Sequence, residues 1–133
     1  METAADMLAC RKYGNAVYSY MHAILETHAY LRAAEIAGMT DEEREAAALA
    51  VARNPLAGDE IRGTGGCRKI RIAGRGKGGG YRIITYYGGV DVPVFLLTVF
   101  SNGQRTGLSQ RERNGLAQLT KTLVQCLGPR FRR

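Results

Sequence analysis

An α+β domain is the fold this sequence predicts: a small antiparallel sheet with helices packed on one side, in the order β-α-α-β-β-β-α. Three observations carry that expectation. Apolar positions follow a helical spacing in residues 28–53, switch to alternation from Cys67, and return to helical spacing at Leu116, Leu119, Leu123 and Leu127. A length of 133 residues suits one domain with one core.

Residues 1–20 show mixed composition and a Gly14-Asn15 turn signal, and are expected to form an N-terminal extension before a domain spanning 21–133. Ile24 to Thr27 reads as a short strand. Tyr30, Leu31, Ala34 and Ala37 then share one helical face. Thr40, followed three residues later by Glu43, has the spacing of a capping box and starts a second helix over Asp41 to Arg53. Its acids fall in the first turn, where the helix dipole favours them, and Asn54-Pro55 ends it. The breaker-rich stretch PLAGDEIRGTGG, residues 55–66, reads as a loop.

Between Arg68 and Ala73, Ile70 and Ile72 alternate with Lys69 and Arg71, which marks a strand with one buried face. Tyr81 to Tyr87 is aromatic and β-branched. Val92 to Phe100 is almost continuously apolar and is expected to be the central strand, with Gly88-Gly89 as the tight turn before it. Ser109, with Glu112 three positions on, caps the last helix.

Charge is divided unequally along the chain. The first 60 residues hold five basic and ten acidic side chains, a net of −5; the remainder holds fourteen basic and two acidic, a net of +12. Such a basic half suits a polyanionic partner, although a solvated basic face would have the same composition. Cys10, Cys67 and Cys126 are widely spaced and odd in number, so neither a disulfide framework nor a metal site is expected, and no cofactor is implied. No apolar run approaches the roughly 20 residues that span a bilayer, and the chain opens on no signal pattern; a cytoplasmic setting is the expectation.

The run Gly74-Arg75-Gly76-Lys77-Gly78-Gly79-Gly80 invites comparison with a phosphate-binding loop. A P-loop needs Ser or Thr after its lysine and a helix next, so that backbone amides converge on phosphate. Here Lys77 is followed by glycine and then by a strand. A hairpin tip explains the run, with Arg75 and Lys77 placed to touch a phosphate backbone.

The strands on either side carry the stronger signal. Lys69 and Arg71, two residues apart, project from one face, opposite Ile70 and Ile72. Pairing of Arg71 near Arg82 would gather three cations on one patch. Two unit charges about 7 Å apart at an effective dielectric near 20 repel by roughly 2 kcal/mol, and a bound polyanion relieves that repulsion. The histidines, His22 and His28, both lie in the acidic half and read as surface or helix-edge residues, so a histidine-pair nuclease has no obvious parts.

Four stations, N-P-x-A-G-D at 54–59, G-T-G-G-x-R-K at 63–69, G-G-Y-R at 79–82 and L-L-T-V-F at 96–100, stand in the order and spacing found in a known group. From about Ile24 to Val124 the chain resembles the RelE/HigB toxins of type II toxin-antitoxin systems, in the RelE/ParE superfamily, and is most like the HigB branch. The resemblance implies a small antiparallel sheet flanked by helices and a ribosome-dependent mRNA endonuclease acting at the ribosomal A site. It also implies inhibition by a cognate antitoxin, helix-turn-helix-containing and encoded beside it, with no metal, cofactor or membrane partner.

In such enzymes the ribose 2′-hydroxyl attacks the adjacent phosphate, and a basic patch supplies the catalysis. On the family's motifs, Lys69, Arg71 and Arg82 fall on the basic catalytic positions, with Arg68, Arg75, Lys77 and Arg105 as RNA contacts. Arg71 and Arg82 suit stabilisation of the phosphate's added charge; Lys69 is the only one of the three able to give up a proton. The pattern breaks after L-L-T-V-F, where relatives carry a basic residue two positions on and this chain has Asn102, with Arg105 following. Met21 stands where such proteins begin, so residues 1–20 are expected to be dispensable. Two other readings share the resemblance: a ParE-like toxin that inhibits by binding, and a catalytically weak ribosome- or RNA-binding module.

Overall fold

The structure, a computed structural model, describes residues 21–74, 80–103 and 107–127. Its elements in chain order are β1 (Ile24–Glu26), α1 (His28–Ala37), α2 (Asp41–Arg53), β2 (Asp59–Glu60), β3 (Cys67–Ile72), β4 (Tyr81–Tyr86), β5 (Val94–Ser101) and α3 (Gln110–Leu127). The fold is α+β, with one five-stranded sheet in the order β1-β5-β4-β3-β2.

Each helix starts at the residue whose side chain caps it. The Thr27 hydroxyl accepts from the Tyr30 amide at the start of α1 and donates to the Leu96 carbonyl, so one side chain ties helix to sheet. Thr40 and Glu43 form the reciprocal capping box of α2. Ser109 and Glu112 form the same pair at α3, at 2.8 and 3.1 Å. Such caps satisfy amides that the helix itself leaves without acceptors, at about 1 kcal/mol each.

Strands β2 to β5 are antiparallel neighbours, but β1 runs parallel to β5, with Ile24 opposite Val94 and Glu26 opposite Leu96. The sheet is therefore mixed rather than wholly antiparallel. Strand β2 also falls within the stretch expected to be a loop. It is two residues long, too short for alternation to show in the sequence. The middle strand is β4, with β5 beside it, and the expected two-residue turn between them is the longer connection 87–93.

The helices do not share one side. Tyr30 and Ala34 of α1 and Ala47 and Val51 of α2 pack with Ile70, Ile83, Val94, Leu96 and Val99. Leu116 and the half-buried Leu123 of α3 pack with Cys67, Ile84, Tyr86, Phe95, Leu97 and Phe100 on the other face. Consecutive apolar residues in β4 and β5 feed both layers, as expected of strands covered on both sides. Each fully buried aliphatic side chain contributes roughly 1.5–3 kcal/mol. Leu97 is the extra residue of a bulge, since Ile84 faces Thr98 and Thr85 faces Leu96.

His22 is buried, not superficial. Its Nε2 lies 2.7 Å from the Val92 carbonyl oxygen and its ring meets Tyr87 edge-on. His28 opens α1 and is exposed. No helix among the described residues is long and apolar enough to cross a membrane.

Candidate nucleic-acid interface

The alternation of β3 divides its cations between the two faces of the sheet. Cys67, at the start of the strand, is buried in the layer beneath α3, so Lys69 and Arg71 project from that same face. Ile70 turns to the layer beneath α1 and α2, with the half-buried Ile72 packed against it. In β4, Arg82 lies two residues before Ile84 and therefore also faces the α3 side.

The register brings these side chains together. Arg71 is the direct cross-strand partner of Arg82, and Lys69 is that of Ile84. Facing residues in an antiparallel pair hold their Cβ atoms roughly 4.5–5.5 Å apart. Arg71 is exposed, while Lys69 and Arg82 are half-buried. Among the described residues the ion pairs are those of Arg44 with Glu26 and Asp41, and Lys69 and Arg71 take part in neither.

Arg82 is held in place. Its Nε donates to the Asn102 side-chain oxygen at 3.0 Å, and the Asn102 backbone amide donates to the Gly80 carbonyl at 3.2 Å. Gly80 has φ of 125°, and a Cβ there would come within 2.8 Å of the Asn102 side-chain nitrogen. Glycine is thus required for the hairpin base to close on Asn102. Arg71, Ile72, Ala73, Gly80 and Asn102 line a shallow pocket at that base.

Arg68 does not join the other three. It projects from the opposite face, where its Nη2 donates to the Gly58 carbonyl at 2.9 Å and its Nε to that of Ala57 at 3.4 Å. Those bonds anchor the strand to the preceding loop. Arg75, Lys77 and Arg105 lie outside the described residues, as do residues 1–20.

One neighbour of the basic face, and one buried cation of α3, escaped the sequence reading. Asp59 is the direct partner of Lys69 across β2 and β3, so a carboxylate shares the face. Only the register of a two-residue strand reveals it. Arg113, one helical turn before Leu116 and so on the sheet-facing side of α3, has a buried Nε with no hydrogen-bond partner. The spacing to Leu116 was available in the sequence. The acids of α2 lie elsewhere: Tyr81, on the other face, donates its hydroxyl to Glu43 at 2.9 Å.

Chemically, this face offers two planar guanidinium forks and one ammonium around an open surface, an arrangement matched to phosphate oxygens. Among the described residues no group of three or more His, Cys, Asp or Glu side chains is arranged to hold a metal ion. No family model matches the chain.

Proposed function

We propose that the chain is a RelE/HigB-like toxin that cleaves mRNA on the ribosome. One observation carries this reading: Arg71 faces Arg82 directly across β3 and β4, with Lys69 on the same face. Like charges opposite one another are unfavourable in a sheet, so their concentration on one face calls for an anionic partner. The motif resemblance adds the substrate class and the chemistry.

In this reading the ribose 2′-hydroxyl attacks the neighbouring phosphorus and the 5′-oxygen departs. Arg71 and Arg82 hold the non-bridging oxygens, whose charge grows in the transition state. Lys69 supplies a proton to the departing oxygen. The partners are the ribosomal A site with its mRNA and a cognate antitoxin whose acidic or amphipathic segment covers the basic face. The setting is cytoplasmic.

A second reading, a ribosome- or RNA-binding module without cleavage, is favoured by Asn102, which orients Arg82 yet brings no charge of its own. Primer extension on mRNA after brief induction separates these two and a third, a ParE-like toxin that inhibits by binding. Cuts within translated codons support the toxin. Inhibition of growth with uncut mRNA and a DNA-damage response supports a ParE-like binding toxin, and neither effect supports the binding module.

A further inference from the structure

Cleavage through a 2′-hydroxyl needs a group that takes the hydroxyl proton, and the three cations of this face are poorly suited to accept it. The β2–β3 register brings a carboxylate beside them. Asp59 is the cross-strand partner of Lys69, so both side chains rise from the face that carries Arg71 and Arg82. Asp59 is exposed, and among the described residues its side chain makes neither a hydrogen bond nor an ion pair. Being exposed, it buries no apolar surface, and its charge complements that of Lys69 opposite it only modestly. A carboxylate beside a phosphate site also weakens binding of the anion, so affinity does not explain it either.

We infer that Asp59 is the general base of the cleavage reaction and that Lys69 is its acid, an inference that rests on the ribonuclease reading above. The Asp59 carboxylate takes the 2′-hydroxyl proton as the 2′-oxygen bonds to phosphorus. The bond from phosphorus to the 5′-oxygen breaks, and that oxygen receives a proton from the Lys69 ammonium. The products are a 2′,3′-cyclic phosphate and a 5′-hydroxyl, leaving Asp59 protonated and Lys69 neutral. Because the two are cross-strand neighbours, the proton then returns from Asp59 to Lys69, directly or through one water, and the pair is reset. No oxidant, metal or further reactant enters.

The test uses the full chain, ribosomes programmed with a short mRNA, and the D59N, D59S and D59E variants, each checked for a wild-type thermal transition. Loss of a general base lowers the single-turnover rate by about 100-fold or more. The expected result for D59N and D59S is that loss, with mRNA-programmed ribosomes bound as tightly as by the wild type or more tightly, and partial recovery in D59E. A merely structural residue would not give that split. Wild-type cleavage that persists at full rate in D59N overturns this inference alone, as does a loss of rate that follows lost binding. A wild type that cuts no mRNA overturns the ribonuclease reading and this inference with it.

Discussion

Asn102 accepts a 3.0 Å hydrogen bond from the Nε of Arg82, across the end of the β4–β5 pair. The residue that departs from the basic pattern of the RelE/HigB toxins, which the chain resembles, is therefore the one that orients a cation on the proposed site. A hydrogen bond to a charged group is worth roughly 1.5–3 kcal/mol. Asn102→Ala is expected to slow cleavage about tenfold or more with the thermal transition within a few degrees of wild type. An unchanged rate would show that Arg82 keeps its orientation without this bond.

Replacing Arg71 by Lys preserves the charge and removes the planar fork. If the forks stabilise the phosphate in the transition state, the Arg71→Lys variant loses about 100-fold in rate but little in mRNA binding. Lys69→Met is expected to abolish growth inhibition with folding intact. Single-turnover cleavage and binding on mRNA-programmed ribosomes check the first; growth assays after induction, with circular dichroism of the purified variant, check the second, and undiminished toxicity of Lys69→Met would remove Lys69 from the mechanism.

Gly58 fixes the approach of β2 to β3. Its φ is 86°, and a Cβ there would collide with the backbone oxygen of Lys69 and reach 2.9 Å from the Ile70 side chain. Gly58→Ala is expected to destabilise by more than about 2 kcal/mol, since backbone cannot yield to it. Gly63 has a similar φ of 77° with open space around it, so Gly63→Ala should cost only about 1–2 kcal/mol. Equal losses in urea unfolding would mean that conformation, not collision, sets both.

Alkaline pH should weaken the fold through two buried acids. Burial pushes the Cys67 thiol from its ordinary 9.0 up to about 11. Burial, with the nearby Glu26 charge adding to it and Arg44 opposing, pushes the Tyr30 hydroxyl from 10.0 up to about 12. Both groups are neutral in the folded protein while the unfolded chain ionises at the ordinary values. Their stabilisation is complete below about pH 9 and is lost as pH rises towards about 12. Urea midpoints measured over that range should fall with pH, and less steeply in Cys67→Ala and Tyr30→Phe; slopes equal to wild type would contradict the assignment.

Helix boundaries were legible because they are written locally. Thr40 with Glu43 and Ser109 with Glu112 specify helix starts by chemistry within four residues. The three-cation face was legible for a related reason, since alternation alone places Lys69 and Arg71 together. Whether Arg82 joined them depended on hairpin register, which the uncommitted glycine run leaves open. The parallel pairing of β1 with β5 joins residues 70 apart, Ile24 and Val94, and no local pattern encodes it. The burial of His22 against Val92 follows from the same long-range contact. The placement of α3 on the opposite face was present in outline: the continuous apolar run of β5 requires cover on both sides. Arg68 shows the limit of composition, because one residue of offset sends it to the other face and into the backbone of the 57–58 loop.

Whether the Arg71–Arg82 pair cleaves RNA is read by incubating mRNA on purified, programmed ribosomes with the wild type and with the Arg71→Ala/Arg82→Ala double variant and identifying the new ends chemically. The wild type is expected to make cuts that leave a 2′,3′-cyclic phosphate and a 5′-hydroxyl, and the folded double variant to lose about 1,000-fold or more in rate. Cleavage by the double variant at the wild-type rate, or a wild type that binds the ribosome and leaves the mRNA intact, would contradict the proposed function.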